Sequence, residues 1–447
     1  MTNDIASTTA SVPTTVPTSS ERAAARDLCA FVDASPSPFH AAGEARRRLE
    51  AVGFSALDER AEWSLASGDK RWVARGGTLV AFIVGDEHPA TAGFRMIGAH
   101  TDSPNLRTKP ISGRVSRGYA QLGVEIYGGV ILATWMDRDL SLAGRVTLHR
   151  GPGKVESKLV DLKKPIARVA NLAIHLNRAV NKDGLVLNEQ KHMVPMVGLG
   201  SDVDLAKILA QELGEDEKDV VGWDLGLYDT LASALGGLSE ELVFAARLDN
   251  LGSSHAAIRA LAEDAGRRVA ATRLVALYDH EECGSRSATG AAGSVLADVT
   301  SRIVEALCAE RQALARAMSS SLLISADMAH AIHPNYPDQH EPQHAPELGK
   351  GLVIKTNANQ SYATNGETAA LFTSFCGEAG YAPQHFVTRS DLPCGSTIGP
   401  ITAARLGVAT VDVGAPMLSM HSCREMCGTR DVEKAIATYR AALVTGA

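Results

Sequence analysis

Apolar residues follow two patterns along this chain: some stretches repeat them at helical spacing, and others hold them in short continuous runs. Helical spacing predicts α-helices, whereas short apolar runs bounded by Gly, Pro or polar residues predict buried strands. Outside a central region the two kinds of element alternate, which indicates an α/β fold with a mixed, largely parallel sheet flanked by helices. We predict strands at 78–84, 94–97, 242–246, 273–278, 321–325 and 408–413, and helices at 21–34, 39–52, 253–264, 295–318 and 365–379.

The alternation is lost between residues 106 and 238, where short β-like runs are interspersed with Gly, Lys and Arg. We interpret 106–238 as an inserted, β-rich domain, and 21–105 with 239–447 as the main domain. Residues 1–20 are rich in Ser, Thr, Pro and Val and are predicted to be a disordered tail. Within the insertion we predict strands at 120–127, 129–133 and 142–148, and helices at 201–213 and 225–235.

Composition and charge narrow the classes of function. The 447 residues suffice for two or three domains, and 45% hydrophobic with 21% charged residues is ordinary for a globular protein. The formal net charge of −7 argues against nucleic acid or an anionic membrane as a partner. No apolar stretch predicts a membrane span, the N-terminus lacks a signal-peptide pattern, and the seven cysteines are scattered. These features predict a cytoplasmic protein with reduced thiols.

Two adjacent carboxylates, Glu281 and Glu282, follow the apolar run at 274–277. Loops at strand ends carry many active sites because a rigid scaffold positions them. Neighbouring residues near a strand end point in different directions, so the two carboxylates should differ in role: one could bind a metal while the other holds a water. An isolated Glu-Glu pair is more often a solvated acidic turn, so this interpretation depends on the rest of the chain.

Other acidic and imidazole residues also follow predicted strands. Imidazole with carboxylate, without thiolate, suits Zn²⁺, Co²⁺ or Mn²⁺. Two His and three acids exceed what one four-coordinate zinc requires, which favours two metals that share a carboxylate. Taken alone, each His is more often structural, and Asp249 could simply cap a helix. The set at the strand ends is His100 with Asp102, Asp249, Glu281 with Glu282, Asp327, and His421.

Several segments resemble the signature motifs of the aspartyl aminopeptidase family, which are dinuclear zinc exopeptidases that remove N-terminal acidic residues. The resemblance runs from about Asp33 to the C-terminus, and no predicted metal position departs from it. It implies a zinc exopeptidase-like fold for the main domain and a dimerisation or lid role for the insertion. The motifs are 35–40 (SPSPFH), 98–104 (GAHTDSP), 249–251 (DNL), 278–285 (YDHEECGS), 325–336 (SADMAHAIHPNY) and 420–425 (MHSCRE).

The resemblance also implies a role for each residue of the set. His100 and Asp327 would hold one zinc, Glu282 and His421 the other, and Asp249 would bridge them. Two further residues complete the catalytic machinery in the family. Asp102 would orient His100, and Glu281 would be the general base that moves the proton from water to the leaving amine.

Substrate recognition and assembly are implied by the same resemblance. Lys355 and Tyr362, with His330 nearby, would bind the acidic side chain of the substrate. His175, which by itself would be read as a core histidine in an apolar run, would reach the active site of a neighbouring subunit. The expected partners are therefore peptides with an acidic N-terminus and further copies of this chain, with a dimer as the building block of a dodecamer.

Three alternatives remain open at this stage. The same dinuclear chemistry could serve a broad aminopeptidase, a carboxypeptidase or a deacylase. A non-catalytic assembly protein with an inactive peptidase fold is disfavoured, because no predicted ligand or base is missing. A serine hydrolase is also disfavoured, since no Gly-x-Ser-x-Gly motif is present.

Overall fold

A nine-stranded sheet forms the centre of the main domain in this computed structural model, which describes residues 16–200, 203–307 and 310–445. The four middle strands are parallel and almost entirely buried, because helices cover both faces of the sheet. Across the sheet the strands are Ser55–Ala56, Lys70–Arg75, Thr78–Ile83, Thr272–Tyr278, Phe94–His100, Leu322–Ala326, Ala409–Gly414, Val353–Lys355 and Gln384–Phe386.

The two faces of this sheet pack against different helices, since successive side chains of a strand point to opposite sides. In the strand Thr78–Ile83, Leu79 and Ala81 join one core, whereas Val80 and Phe82 join the other. The first core is covered by Ser19–Asp33, Pro38–Glu50, Leu248–Glu263, Gly366–Glu378 and Thr429–Val444. The second core is covered by Val295–Leu307, Ala313–Ser319 and Ile398–Leu406, with the short helix Pro89–Ala92 beside it. The predicted α/β class with a mixed, largely parallel sheet is confirmed.

A second sheet of six antiparallel strands has its own apolar core. Its strands all come from the region predicted to be inserted. Across this sheet they are Val155–Asp161, Leu140–His149, Val220–Asp229, Asn105–Ser116, Tyr119–Tyr127 and Met196–Leu199, and the helices of the region are Val180–Asp183, Glu189–His192 and Leu205–Leu213. We refer to the part of the chain from Asn105 to Asp229, which contains these strands and helices, as the inserted domain.

A third sheet, which the sequence does not predict, joins distant parts of the chain. The strand predicted at 242–246 belongs to this third sheet and not to the central sheet. The strand Ala234–Gly236, from the end of the predicted insertion, also belongs to it. Its strands in spatial order are Ala234–Gly236, Leu242–Ala245, Glu425–Gly428, Pro416–Leu418 and Ala329–His330.

Two predicted elements inside the insertion are wrong. The region predicted as the helix 225–235 is not helical: it begins within the strand Val220–Asp229 and ends within the strand Ala234–Gly236. In the first strand Leu225, Leu227 and Asp229 are buried in alternation. That period of two is the pattern of a strand with one covered face. The predicted strand 129–133 is a loop leading into the 3₁₀ helix Leu132–Trp135.

Two predicted helices and the predicted tail differ from the structure in their limits. The single helix predicted at 295–318 is wrong, because two helices, Val295–Leu307 and Ala313–Ser319, occupy this part of the chain. The helix predicted from 201 begins at Leu205, where Asp204 caps it, and residues 201–202 lie outside the described ranges. The predicted tail 1–20 extends too far, because a helix begins at Ser19 under a capping box from Thr18. Residues 1–15 of that tail lie outside the described residues.

Two observations concern membranes and thiols. Among the described residues, no helix combines the length and the apolar character needed to cross a bilayer. The six cysteines in the described ranges are all free, and they are Cys29, Cys283, Cys376, Cys394, Cys423 and Cys427.

Candidate metal centre and adjoining cleft

Side chains from three of the middle parallel strands meet at one edge of the central sheet. His100 ends one strand, Asp327 directly follows the next, and Glu281 and Glu282 lie in the turn after a third. Because parallel neighbours end at the same edge, these side chains are brought together in front of it. The structure therefore brings together these four residues, which the sequence analysis places after predicted strands.

The other two predicted ligands, Asp249 and His421, come from the surroundings of the third sheet. Asp249 is the second residue of the helix Leu248–Glu263, which follows a strand of that sheet. His421 lies in the connection between Pro416–Leu418 and Glu425–Gly428. Two sheets therefore assemble the site, and the prediction that one sheet supplies every residue is wrong for these two.

The structure groups these residues into two triads that share Asp249. His100, Asp249 and Asp327 form one triad, and Asp249, Glu282 and His421 form the other; within each, one potential ligand atom per residue lies within 4.8 Å of the others. Asp249 Oδ1 is 3.4 Å from Nε2 of His100, and its Oδ2 is 3.3 Å from Nε2 of His421. A carboxylate placed in this way could bridge two cations.

Glu281 also lies within reach of a cation. It forms a third group with His100 and Glu282, again with ligand atoms within 4.8 Å of one another. Distance alone therefore does not separate the roles of Glu281 and Glu282.

Each imidazole is oriented by a hydrogen bond to a backbone carbonyl. Nδ1 of His100 lies 3.0 Å from the carbonyl oxygen of Asp102, and Nδ1 of His421 lies 2.9 Å from that of Gly129. In each ring Nδ1–H donates to the carbonyl, so Nε2 is the nitrogen that faces Asp249 and could bind a metal. A ligand histidine fixed in this way is typical of protein metal sites.

The buried carboxylate of Asp102 holds the turn that carries Glu281 and Glu282. Its Oδ1 accepts the backbone N–H of Glu281 and its Oδ2 that of Glu282, each at 3.1 Å. Oδ2 also accepts the hydroxyl of Tyr127 at 2.6 Å, and Oδ1 lies 3.4 Å from Nδ1 of His100. Burial opposes ionisation of Asp102, but the bonds to His100 and Tyr127 outweigh it and lower its pKa. Asp102 therefore holds the turn of Glu281 and Glu282 as well as His100, the residue that it is predicted to orient.

Glu425 plays a comparable part for the second triad, and the sequence reasoning does not single it out. Its side chain is 3% exposed. Oε1 accepts the backbone N–H of His421 at 2.7 Å, and Oε2 accepts that of Asp249 at 3.1 Å. The available signal is its place four residues after His421, as a lone acid at the start of a buried strand.

The crowded carboxylates raise one another's proton affinity. Burial, together with the charges of Asp327, Glu282 and Asp249, raises the pKa of Glu281 to about 8. Burial is also the main cause for Glu282, whose pKa is raised to about 7, and for Asp327, whose pKa is raised to about 6. Burial disfavours the charged form of His421, but its bonds to Asp249 and Glu282 prevail and raise its pKa to about 11. Bound cations would relieve this excess of buried negative charge.

Two buried carboxylate oxygens give a second reason, besides the excess of negative charge, why this donor set fits divalent metal ions. Asp249 Oδ1 and Glu282 Oε1 are buried and have no hydrogen-bond partner among the described residues. A buried carboxylate oxygen without a partner is costly, whereas a carboxylate–imidazole set suits zinc well.

These pKa shifts predict how metal removal affects stability at different pH values. The folded-state pKa values of Glu281, Glu282 and Asp327 lie above their unfolded values, so their protonated forms stabilise the metal-free protein. That contribution is present at low pH and is lost as pH rises through about 6 to 8. Bound zinc would favour the deprotonated carboxylates and would compensate for the stability that is lost when they ionise. We therefore expect the melting-temperature gap between zinc-loaded and chelated protein to widen from about pH 5.5 to about pH 8, measured by calorimetry. A constant gap would contradict this.

A cleft of about 410 Å³ opens beside the two triads. Loops after the outer strands of the central sheet supply much of its wall. Its lining includes all five residues predicted to bind metal, and also Glu281 and the three predicted substrate-binding residues. Phe386 and the segment 395–397 complete this part of the wall.

Lys355 is the buried cation of this cleft. It ends the strand Val353–Lys355 and is 3% exposed. Its ammonium donates to the carbonyl of Met328 at 2.8 Å and lies 3.9 Å from Oδ1 of Asp327. The same ammonium lies 5.4 Å from the ring centre of Tyr362, which supports it through a cation–π contact. A buried ammonium held in this way is available to pair with an anionic group that enters the cleft.

His330 and Tyr362 line the cleft close to Lys355. The ring of His330 packs edge-on against Phe386, with 5.7 Å between ring centres. Desolvation and the cation of Lys355 lower the pKa of His330 to about 4, so it is neutral at physiological pH. Burial raises the pKa of Tyr362, which keeps its hydroxyl protonated.

His175 does not join this group within one chain. It lies on the exposed 3₁₀ helix Ile174–Leu176 of the inserted domain and is not among the residues that line the cleft. Leu172, Ile174 and Leu176 around it are also exposed, at 58%, 48% and 75%. The expectation that His175 is an ordinary core residue is therefore wrong.

The fold, the donor set and the cleft together are those of a metal-dependent hydrolase. The chain belongs to the M18 peptidases, because the family model described as "Aminopeptidase I zinc metalloprotease (M18)" matches residues 31–442. The class of activity is thus that of a zinc metallo-aminopeptidase. This confirms the resemblance found in the sequence at the level of the family.

Individual relatives agree over nearly the whole chain. "Probable M18 family aminopeptidase 2" of Pseudomonas aeruginosa is 47% identical over 413 residues, which are 91% of this chain and 94% of that protein. The solved structure "Cryo-EM structure of the Ape4 and Nbr1 complex" is 40% identical, with a TM-score of 0.92 over 95% of this chain and 86% of that one. "Structure of S. cerevesiae mApe1 dodecamer" is 27% identical, with a TM-score of 0.84 over 94% and 96% of the two chains.

Proposed function

We propose that this protein removes acidic residues, Asp or Glu, from the N-terminus of peptides with the help of two zinc ions. The observation that carries the acidic specificity is Lys355, a buried ammonium that lines the same cleft as both triads. A substrate carboxylate that leaves water needs such a partner. The family supplies the aminopeptidase activity, and the cleft supplies the argument for its selectivity.

The proposed ligands follow the two triads. His100 and Asp327 hold one zinc, Glu282 and His421 hold the other, and Asp249 bridges them. The shared position of Asp249 supports this arrangement, since its two oxygens face different imidazoles. Cobalt or manganese would suit the same ligands.

Two divalent ions bound there would polarise the scissile carbonyl and lower the pKa of water. Glu281 is the proposed general base: its carboxylate takes a proton from the attacking water and later delivers it to the leaving amine. Asp102 positions this base, because it accepts the backbone N–H groups of both Glu281 and Glu282. These contacts hold both residues in one turn, and we propose that Glu282 binds metal while Glu281 moves protons.

The recognition pocket is proposed to consist of Lys355, Tyr362 and His330. Lys355 neutralises the acidic side chain, while the hydroxyl of Tyr362 and the neutral ring of His330 offer further polar contacts. Tyr362 also limits the space around the ammonium, since its ring lies 5.4 Å away.

Assembly is proposed to complete the site. His175 and the exposed leucine and isoleucine side chains beside it form a surface that suits a second copy of this chain, where His175 would polarise the substrate carbonyl of the neighbour. The solved yeast relative is a dodecamer, which supports a dimer-based dodecamer here. The cytoplasmic location stays a prediction.

A zinc aminopeptidase of broader specificity is the second candidate, because the curated relatives carry only the general name of the family. A carboxypeptidase, a deacylase and an inactive assembly protein have less support, since the family is one of aminopeptidases and every proposed ligand is present.

The experiment that tests the proposal measures p-nitroanilide release from Asp, Glu, Leu and Lys substrates. We expect release from the Asp and Glu substrates, loss of it on chelation, and recovery on adding zinc, cobalt or manganese. Release mainly from Leu or Lys would keep the metal centre but contradict the role of Lys355. A folded oligomer that is inactive with every metal would overturn the catalytic proposal.

A further inference from the structure

A short segment of the inserted domain, residues 127–134, lies directly against the metal centre. It starts at the end of the strand Tyr119–Tyr127, passes through Gly128 and Gly129, and ends in the 3₁₀ helix Leu132–Trp135. We refer to it as the bracing segment. It connects a sheet that carries none of the proposed zinc ligands with residues that do.

Three hydrogen bonds join the bracing segment to the His421 loop. The carbonyl of Gly129 accepts Nδ1–H of His421 at 2.9 Å, and the N–H of Ile131 donates to the carbonyl of His421 at 3.1 Å. The hydroxyl of Thr134 accepts the N–H of Cys423 at 2.9 Å. The ring and the backbone of His421 are therefore both fixed from the inserted domain.

The glycine pair allows this close approach. A Cβ at Gly129 would lie 3.1 Å from Nδ1 of His421, and a Cβ at Gly128 would lie 3.1 Å from Cβ of Glu282. Both distances are tighter than ordinary van der Waals contact, so a side chain at either position would require its neighbour to shift by a few tenths of an ångström. Gly128 also has φ = +73°, which disfavours other residues.

Tyr127 reaches the other part of the centre. Its hydroxyl donates to Oδ2 of Asp102 at 2.6 Å, and this carboxylate holds the N–H groups of Glu281 and Glu282. The guanidinium of Arg107 lies 3.4 Å from the centre of the Tyr127 ring and holds it in place. One hydrogen bond thus links the inserted domain with the turn that carries the proposed base.

We infer that the bracing segment is a positioning element of the metal centre, and that it controls chiefly the zinc held by Glu282 and His421. Gly129 acts on His421, whereas Tyr127 acts through Asp102 on the turn at Glu281 and Glu282. The inference rests on the two-zinc site proposed above. The inserted domain then has a catalytic purpose within its own chain, separate from any contact between subunits.

The test measures zinc affinity directly by competition with a chromogenic chelator. For Gly129→Ala we expect one zinc to bind as in wild type and the second about 10–100-fold more weakly, as is usual when the support of a ligand is lost. Gly222→Ala is the matched control. Gly222 lies in the strand Val220–Asp229 of the second sheet, and a Cβ there would have no atom of the described part of the chain within 4 Å. This variant should bind both ions as wild type does. A folded Gly129→Ala protein with two wild-type sites would overturn the inference.

Tyr127→Phe provides an independent arm if Gly129→Ala does not fold. We expect kcat to fall with KM little changed, and the visible absorption of the cobalt-loaded protein to shift, because Glu282 moves with its turn. Tyr119→Phe, at the exposed start of the same strand, should change neither. An unchanged cobalt spectrum in Tyr127→Phe would contradict the inference. A wild-type protein that binds a single zinc would instead contradict the two-zinc proposal, and this inference with it.

Discussion

Glu281→Gln is expected to lower kcat by about 10²–10⁴-fold while both zinc ions stay bound. The amide keeps the size of the side chain and its place in the turn, but it cannot accept a proton from water. The backbone N–H of Glu281 still donates to Asp102, so the turn should keep its geometry. Steady-state kinetics on an Asp substrate, with zinc content measured on the same sample, would check both parts of this expectation.

Glu282→Gln is the informative comparison, because Glu281 and Glu282 both lie within reach of a cation. We expect this neighbour to lose zinc affinity as well as activity, since its carboxylate lies 3.3 Å from the imidazole of His421 in the second triad. If Glu281→Gln lost the metal and Glu282→Gln kept it, the two roles would have to be exchanged. Glu367→Gln, an exposed residue outside the cleft, should behave as wild type.

Lys355→Met is expected to reduce kcat/KM for Asp and Glu substrates far more than for a Leu substrate. The substitution leaves a substrate carboxylate desolvated without its partner, which costs about 3–5 kcal/mol, or on the order of 10²–10⁴-fold. Lys355 also lies 3.9 Å from Asp327, so some loss on every substrate is expected. The ratio between acidic and neutral substrates is therefore the quantity to measure.

Lys350→Met is the matched control for charge, because Lys350 is an exposed lysine five residues earlier in the chain. It should leave the ratio unchanged. An equal loss on acidic and neutral substrates in Lys355→Met would assign this lysine to the support of Asp327 rather than to recognition. The anionic part of the substrate would then bind elsewhere in the cleft.

The sequence predicts the central part of the site well because the signals there are local. His100, Glu281 and Asp327 each follow a continuous apolar run, and such runs form buried parallel strands whose ends meet. A pattern read along the chain does not show which strands pair with which. For that reason the third sheet, and with it the surroundings of Asp249 and His421, was not predictable from hydrophobic spacing.

Glu425 shows the same limit for a single side chain. In the sequence it is a single acid four residues after His421, and this position alone does not show what its carboxylate contacts. Its importance comes from contacts with the backbone of Asp249 and His421, which exist only after folding. Buried carboxylates that accept backbone N–H groups are defined by tertiary structure, so sequence spacing reveals them poorly.

The misassigned strand Val220–Asp229 has a different cause. Its leucines were compatible with a helix over a short window, and its glycines carried no decisive information. Antiparallel pairing with Leu140–His149 and Asn105–Ser116 decides the outcome, because context readily overrides local preference in such segments.

The spread of the proposed ligands along the polypeptide affects how the enzyme is made. They begin at position 100 and end at position 421, so more than 300 residues must be synthesised after the first ligand before the last one exists. Synthesis proceeds at roughly 5–20 residues per second, and contacts between such distant positions form late in folding. A growing or prematurely terminated chain therefore lacks the imidazole of His421. Peptidase activity should therefore arise only after the chain has been synthesised through His421.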